Sequence, residues 1–417
     1  MLFSDKIKKV KKIKFPPWVF VILAVMSTGF FFIQNKPYFI DESPHLGLIK
    51  KMAEFNFSRD TFEIAAMFPF YHLVLGLLSR VTGSLSLSSL RFISTIFSFF
   101  SVLVFYLIAK QIESKNAVLK TFQYLFLPIL FIFFFLVYTD AFSLLLILLS
   151  FYFLNKERYK TSGLFGLFSV LTRQNNIIWL AFFVLLMIMK NFKSDFNKKS
   201  MIKFLSDAAV FILIFFGFGV FVILNNGFVL SGMKEIHPLS IHFSNLFLFL
   251  LFQFILFLPL NIANFPKIFK VSIRIFRKRP WIVFPIGIFF IFYIFAFKVD
   301  HPFNQNTIDY FLRNRILAYI TGSDLTKSFF FIPIFYSILS LAVSEFNKKI
   351  YYFIYPFILI NLCLFWLVEP RYYLVPFVFF LLFKKQKSLL VEGLNIIIFM
   401  ILSGWIVWGA ISQKFFL

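Results

Sequence analysis

What most limits this chain is a succession of apolar runs, each long enough to cross a hydrocarbon core of about 30 Å, recurring from one end of the sequence to the other. Inside lipid the backbone finds no water, so every such run must close its own hydrogen bonds as a helix. The expectation is therefore an all-α, polytopic membrane protein. With 60% hydrophobic residues and 71 Phe among 417, no soluble domain accounts for the apolar surface. About thirteen transmembrane helices are expected, near 17–34, 89–109, 118–137, 141–154, 162–172, 176–189, 206–228, 244–263, 281–297, 326–344, 351–367, 372–383 and 389–412.

A net charge of +24 invites a nucleic-acid reading. The charge instead tracks the membrane, so no nucleic-acid partner is expected and membrane lipid is. If residues 1–16 form a cytoplasmic basic tail, most of the 42 Lys and Arg fall on the same side, in 110–117, 155–161, 190–205, 264–280, 345–350 and 384–388. The acids gather on the other, lumenal or outer, side. Reading 64–82 as a further span would invert every later loop and put the KIFKVSIRIFRKR run outside, so this stretch is expected to lie along the lumenal surface. The lysine-rich start precedes an apolar run with no small-residue cleavage site after it, which reads as a retained helix. The single cysteine, Cys363, leaves no internal disulfide and no cysteine-based metal cluster. One domain, 1–417, is expected, with 35–88 as its first lumenal loop.

That loop carries the most informative segment, KPYFIDESPHLGLIKKMAEFNFSRD at 36–60. Two adjacent acids, Asp41 and Glu42, at a membrane boundary cost free energy. One reading is a reacting carboxylate; another is a helix cap, with Asp41 or Ser43 as N-cap and Pro44 in the first turn. On the helix that follows, Leu46, Ile49, Met52 and Ala53 share a stripe from which Lys50, Lys51 and Glu54 are excluded, the pattern of an interfacial helix. Neighbours on a helix diverge by about 100°, so only one of the two acids can act in a given direction.

Three other lumenal segments combine charge with depth: the turn around Arg173 and Gln174, the loop KVDHPFNQNTIDYFLRNR at 298–315, and Glu369-Pro370-Arg371-Tyr372-Tyr373. The spans 141–154 and 162–172 are short, so the turns 138–140 and 173–176 are expected below the lumenal surface, solvated by a cavity. Structural readings compete throughout: Arg173 as a snorkelling cation, Asp140 as a cap, Glu369 as an ion pair between helices, and His72 as an aromatic neighbour. His237, His242 and His301 match no metal spacing, and no metal or other cofactor is expected. A kit of one carboxylate and several cations suits transfer of a sugar from a lipid phosphate. The leaving phosphate is a stable anion that needs cations rather than a general acid, and one base deprotonates the attacking hydroxyl. Transfer of another sugar, such as mannose, or to another acceptor is a second reading, since nothing in the sequence reads one hydroxyl's orientation. A transporter or flippase is the other class considered; acids confined to one face, with no related halves, speak against it.

At this point the chain resembles the dolichyl-phosphate-glucose-dependent α-1,2-glucosyltransferases of N-glycan precursor assembly, multi-span enzymes of the GT-C type. The resemblance is carried in order by PYFIDESPHL, FPFYHLVLG, SLRFISTIFS, YTDAFS, TRQNNIIW, NNGFVLSG and VEPRYYLVPFV. It implies a lumenal site, a polyprenyl-phosphate sugar donor, a lipid-linked oligosaccharide acceptor, inversion at the anomeric carbon, and a catalytic acid at Asp41 or Glu42 with His45 beside it. The candidate substrate-binding residues are then His45, Arg173, Gln174, His301 and Arg371. One segment departs: where the family has an Asp-Asn-Arg-His-Tyr run, this chain has Gln305-Asn306-Thr307-Ile308-Asp309-Tyr310.

Overall fold

The computed structural model describes residues 16–58, 61, 66–191, 197–230, 234–238, 240–307 and 309–417; residues 1–15, most of the expected basic tail, lie outside them. The described residues are helical, with isolated bridges but no strands. The order begins α1 (Pro17–Ile33), α2 (Glu42–Ala53), α3 (Phe70–Thr82), α4 (Leu87–Ile112), α5 (Ala117–Leu125), α6 (Thr139–Asn155), α7 (Tyr159–Val170), α8 (Ile177–Asn191) and α9 (Lys198–Asn225). It continues with α10 (Ser244–Leu256), α11 (Leu258–Lys278), α12 (Val283–Ala296), α13 (Leu312–Thr321), α14 (Asp324–Val343), α15 (Ile354–Cys363), α16 (Leu374–Phe383) and α17 (Leu389–Ile411). Very short helical segments fill several of the connections.

Four of these, α4, α9, α14 and α17, are long and apolar enough to cross a membrane, and two bent pairs taken as one span each bring the number to six. That is fewer than the thirteen expected. Proline accounts for the two breaks: a Pro cannot continue a preceding helix but suits the first turn of the next. The expected span 118–137 bends by 61° ahead of Pro128, and 244–263 bends by 95° ahead of Pro259. Other expected spans are apolar helices of 10–17 residues. The outer surface is apolar as well, with Leu213, Phe216, Leu224, Phe295 and Ile401 exposed, so the helix bundle is built for lipid contact.

Inside, phenylalanines interlock with leucine and isoleucine in the core. Phe151, Phe182, Phe183, Phe379 and Phe383 interlock between α6, α8 and α16, and Tyr351 stacks on Phe383 with ring centroids 4.0 Å apart. In the first loop, Leu46, Ile49, Met52 and Ala53 are buried while Lys50 and Glu54 are exposed, as the periodicity of α2 predicts. The helix α3 runs close against α2: a Cβ on Gly76 would stand 2.8 Å from the Ala53 nitrogen, so only glycine permits this approach.

Candidate active site

A cavity of about 490 Å³ opens where the first loop, the turn before α6, the turn after α7 and the segment before α16 converge. The sequence places both short-span turns there: Tyr138, Arg173, Gln174 and Asn175 line it.

Glu42 and Asp41 have opposite fates. Glu42 has no exposure, and its carboxylate accepts from Arg91 Nε (3.0 Å), Arg91 Nη2 (2.5 Å), the Phe39 amide (2.9 Å) and the Val137 amide (2.9 Å). The remaining Arg91 protons go to the carbonyls of Ile33, Lys36 and Pro37. A buried ion pair offsets its desolvation only when its other hydrogen-bonding positions are filled, and here they are. The pair locks the loop between α1 and α2 onto α4. Asp41 is turned the other way, into the cavity. The residue before it, Ile40, has φ 39°, a left-handed conformation that a β-branched residue rarely adopts. The Asp41 amide donates to the Tyr138 hydroxyl (3.1 Å), which donates to the Phe39 carbonyl (3.0 Å). Asp41 does occupy the N-cap position of α2, yet its side chain makes no capping bond. That carboxylate is 38% exposed, the freest acid in the chamber.

Arginines and carboxylates alternate around it. Arg371 Nη1 donates to Asp41 Oδ2 (3.0 Å) and lies 4.0 Å from Asp140 Oδ2, while its Nε is 3.3 Å from Glu369 Oε1. Arg173 pairs with Asp140, and Arg313 reaches Glu369 Oε2 (3.0 Å) and donates to the Leu417 carbonyl oxygen (2.6 Å). Asn245, at the start of α10, fixes the segment that carries Glu369 and Arg371: it donates to the carbonyls of Phe365 and Leu367 and accepts from the Glu369 amide and the Tyr373 hydroxyl. Phe416 packs beneath the first loop, its ring 5.9 Å from that of Phe39 and 6.2 Å from that of Tyr138.

Two histidines complete the wall. His45 Nδ1 and His72 Nε2 share a hydrogen bond of 2.8 Å. Burial, then the positive charges of Arg371 and Arg173, push the His45 pKa down to about 3, so the ring is neutral at physiological pH. His237 also lines the cavity, and burial with His301 and Arg371 nearby lowers it to about 4. His301 stands one layer back, 6.0 Å from the His237 ring, bonded to the Ile236 carbonyl and packed on Trp366. Gln174 lines the cavity while donating to the Ala66 carbonyl (3.1 Å).

Of the sequence candidates, then, Asp41, His45, Arg173, Gln174 and Arg371 come together on the cavity, whereas Glu42 and His301 lie behind it. Glu369 does tie helices together, but through Arg313 of α13; Arg371, two residues away on the same segment, is a local partner. Sequence reasoning passed over Arg313, Arg91 and the contribution of His72. An arginine inside the apolar run of α4 was itself a signal, since such a charge needs a partner; Arg313 offered none beyond its place in a loop of mixed charge.

The comparisons with known proteins point one way. The model of the DIE2/ALG10 family matches residues 34–205 and 193–382. The chain is similar to a human protein named Dol-P-Glc:Glc(2)Man(9)GlcNAc(2)-PP-Dol alpha-1,2-glucosyltransferase, at 24% identity over 87% of this chain and 86% of the relative. Proteins of the same name from Rattus norvegicus (24% identity, 82% and 87%) and Candida albicans (27%, 67% and 65%) are also similar. No solved structure matches. The matched segments take in the first loop with Asp41, the Arg173 turn and Arg371, and the chain belongs to the DIE2/ALG10 family.

Proposed function

We propose that this protein is a hexosyltransferase of GT-C type that moves glucose from a dolichyl- or polyprenyl-phosphate donor to a lipid-linked oligosaccharide, forming an α-1,2 linkage with inversion in the N-glycosylation pathway. The observation that carries the reading is the pairing of one cavity-facing carboxylate, Asp41, with a guanidinium, Arg371, that is flanked by further arginines. The names of the relatives supply the donor and acceptor classes.

In this mechanism Arg371 and Arg173 hold the donor's phosphodiester. Asp41 accepts the proton of the acceptor hydroxyl as that oxygen attacks the anomeric carbon from the face opposite the phosphate. The bond between the anomeric carbon and the phosphate oxygen breaks with its electron pair on oxygen. The lipid phosphate leaves as an anion stabilised by the arginines, so no acid is required at that oxygen. Neutral His45 is a hydrogen-bond partner for the sugar rather than a third cation. The chain is a multi-pass membrane protein of the endoplasmic reticulum in a eukaryote or of the plasma membrane in a prokaryote, with Asp41 on the lumenal or outer side.

The test is incubation of purified protein with radiolabelled dolichyl-phosphate glucose and a diglucosylated lipid-linked oligosaccharide in EDTA, comparing wild type with Asp41→Asn. Label transfer by wild type alone supports donor, acceptor and base together. Transfer by neither sinks this choice of substrates, and equal transfer by both sinks the role of Asp41.

A further inference from the structure

The basic run 267–279 is not a loop. It continues as α11, 21 residues long, set at 95° to α10 and starting from the end of α10 farthest from Asn245 and the cavity. At about 1.5 Å per residue, the 13-residue α10 separates the two by about 20 Å.

Placed at about 100° per residue, the side chains of α11 divide into three faces. One is fixed to the protein: Asn261, Asn264 and Ile268 are buried, Asn264 Nδ2 donates to Ser340 Oγ (3.0 Å) and Ser344 Oγ (3.1 Å), and Ser340 Oγ donates to Asn261 Oδ1 (2.6 Å). A second is apolar and uncovered: Ile262, Phe265, Phe269 and Phe276 are all more than half exposed, as is Trp281 just beyond the helix. The third is cationic: Lys267, Lys270, Arg274, Arg277 and Lys278 are exposed, and α11 contains no acid. Among the described residues only Lys267 of these is in an ion pair, with Glu345.

A helix perpendicular to its neighbour, with one apolar face and one cationic face, has the build of a segment lying in a membrane interface, apolar side toward acyl chains and cations toward headgroups. We infer that α11 is a binding surface for anionic phospholipid headgroups, lying in the plane of the leaflet opposite the cavity. Charge complementarity selects the lipid: cations near a leaflet favour anionic over zwitterionic headgroups. Trp281 sits where interfacial tryptophans anchor.

The experiment reconstitutes the full chain into nanodiscs containing brominated phosphatidylglycerol or brominated phosphatidylcholine at equal mole fraction. The quenching of Trp281 is isolated by subtracting Trp281→Phe. Quenching by both lipids, stronger for phosphatidylglycerol by about threefold or more, is expected. Combined Lys270→Gln, Arg274→Gln, Arg277→Gln and Lys278→Gln should bring the ratio close to one; if that variant does not insert, Arg274→Gln alone should lower it. Equal quenching by the two lipids in wild type overturns the headgroup assignment. No quenching by either overturns the membrane placement and assigns the face to a soluble acidic partner. An unchanged ratio in the variants overturns the role of these cations.

Discussion

Asp41 and Arg371, 330 positions apart in sequence, meet at 3.0 Å across the cavity. Under the proposed chemistry this contact holds the charge that moves. Before transfer the negative charge is shared by Asp41 and a phosphodiester; afterwards Asp41 is neutral and the lipid phosphate carries both charges. The total is unchanged, and the guanidinium that serves Asp41 is the one proposed to serve the phosphate.

Replacing Asp41 by Asn should therefore do two things at once. Loss of the base should lower kcat by about 10²–10⁴-fold. Loss of the carboxylate that competes for Arg371 should lower the donor KM rather than raise it. Steady-state kinetics with varied donor read both, and a raised KM with unchanged kcat would reassign Asp41 to binding.

Glu42→Gln tests a different property. It leaves Arg91 charged and buried without its counter-charge, and removing one partner of a buried pair costs about 3–5 kcal/mol. The variant should melt far below wild type in detergent, or fail to accumulate. The double variant Glu42→Gln/Arg91→Gln should recover part of the loss, because the unpaired charge is gone.

The lowered His45 pKa makes stability depend on pH. The folded ring resists protonation until about pH 3, whereas the unfolded ring takes a proton near 6.5, so the unfolded state binds more protons between those values. The contribution is fully present above pH 6.5 and is lost as pH falls toward 3, the loss amounting to about 2 kcal/mol at pH 5. Melting temperature should fall from pH 7.5 to pH 5, and His45→Gln should flatten that slope.

Phe416→Ala removes the ring that supports Phe39 and Tyr138 beneath the first loop. Small displacements of a reacting group carry large rate penalties, up to about 10²-fold for 1 Å. The expected result is a reduced kcat with little change in donor KM, partly restored by Phe416→Leu. An equal loss in both parameters would point to general unfolding.

Periodicity made the helices and the amphipathic α2 legible, and charge at a membrane boundary marked Asp41, Arg173 and Arg371 as candidates; that they meet is a property of the fold. The choice between Asp41 and Glu42 was not legible either. They are neighbours in sequence, and what separates them is Arg91, 49 residues on, together with the Val137 amide. The network around Glu369 is hidden for the same reason, since Arg313 joins it only through the fold. The bends ahead of Pro128 and Pro259 were readable as proline signals, but an apolar run scored for hydropathy alone passes over them.

Ile40 carries a cost that the rest of the molecule must cover. A β-branched residue held at φ 39° stores about 1–3 kcal/mol, spent one residue before the carboxylate it orients. Glycine would occupy that backbone without steric penalty. Ile40 also packs against the core, so the Ile40→Gly variant relieves the strain but loses that contact and frees the unfolded chain; it should turn over more slowly without melting at a higher temperature. The loop is where durability has been exchanged for aim.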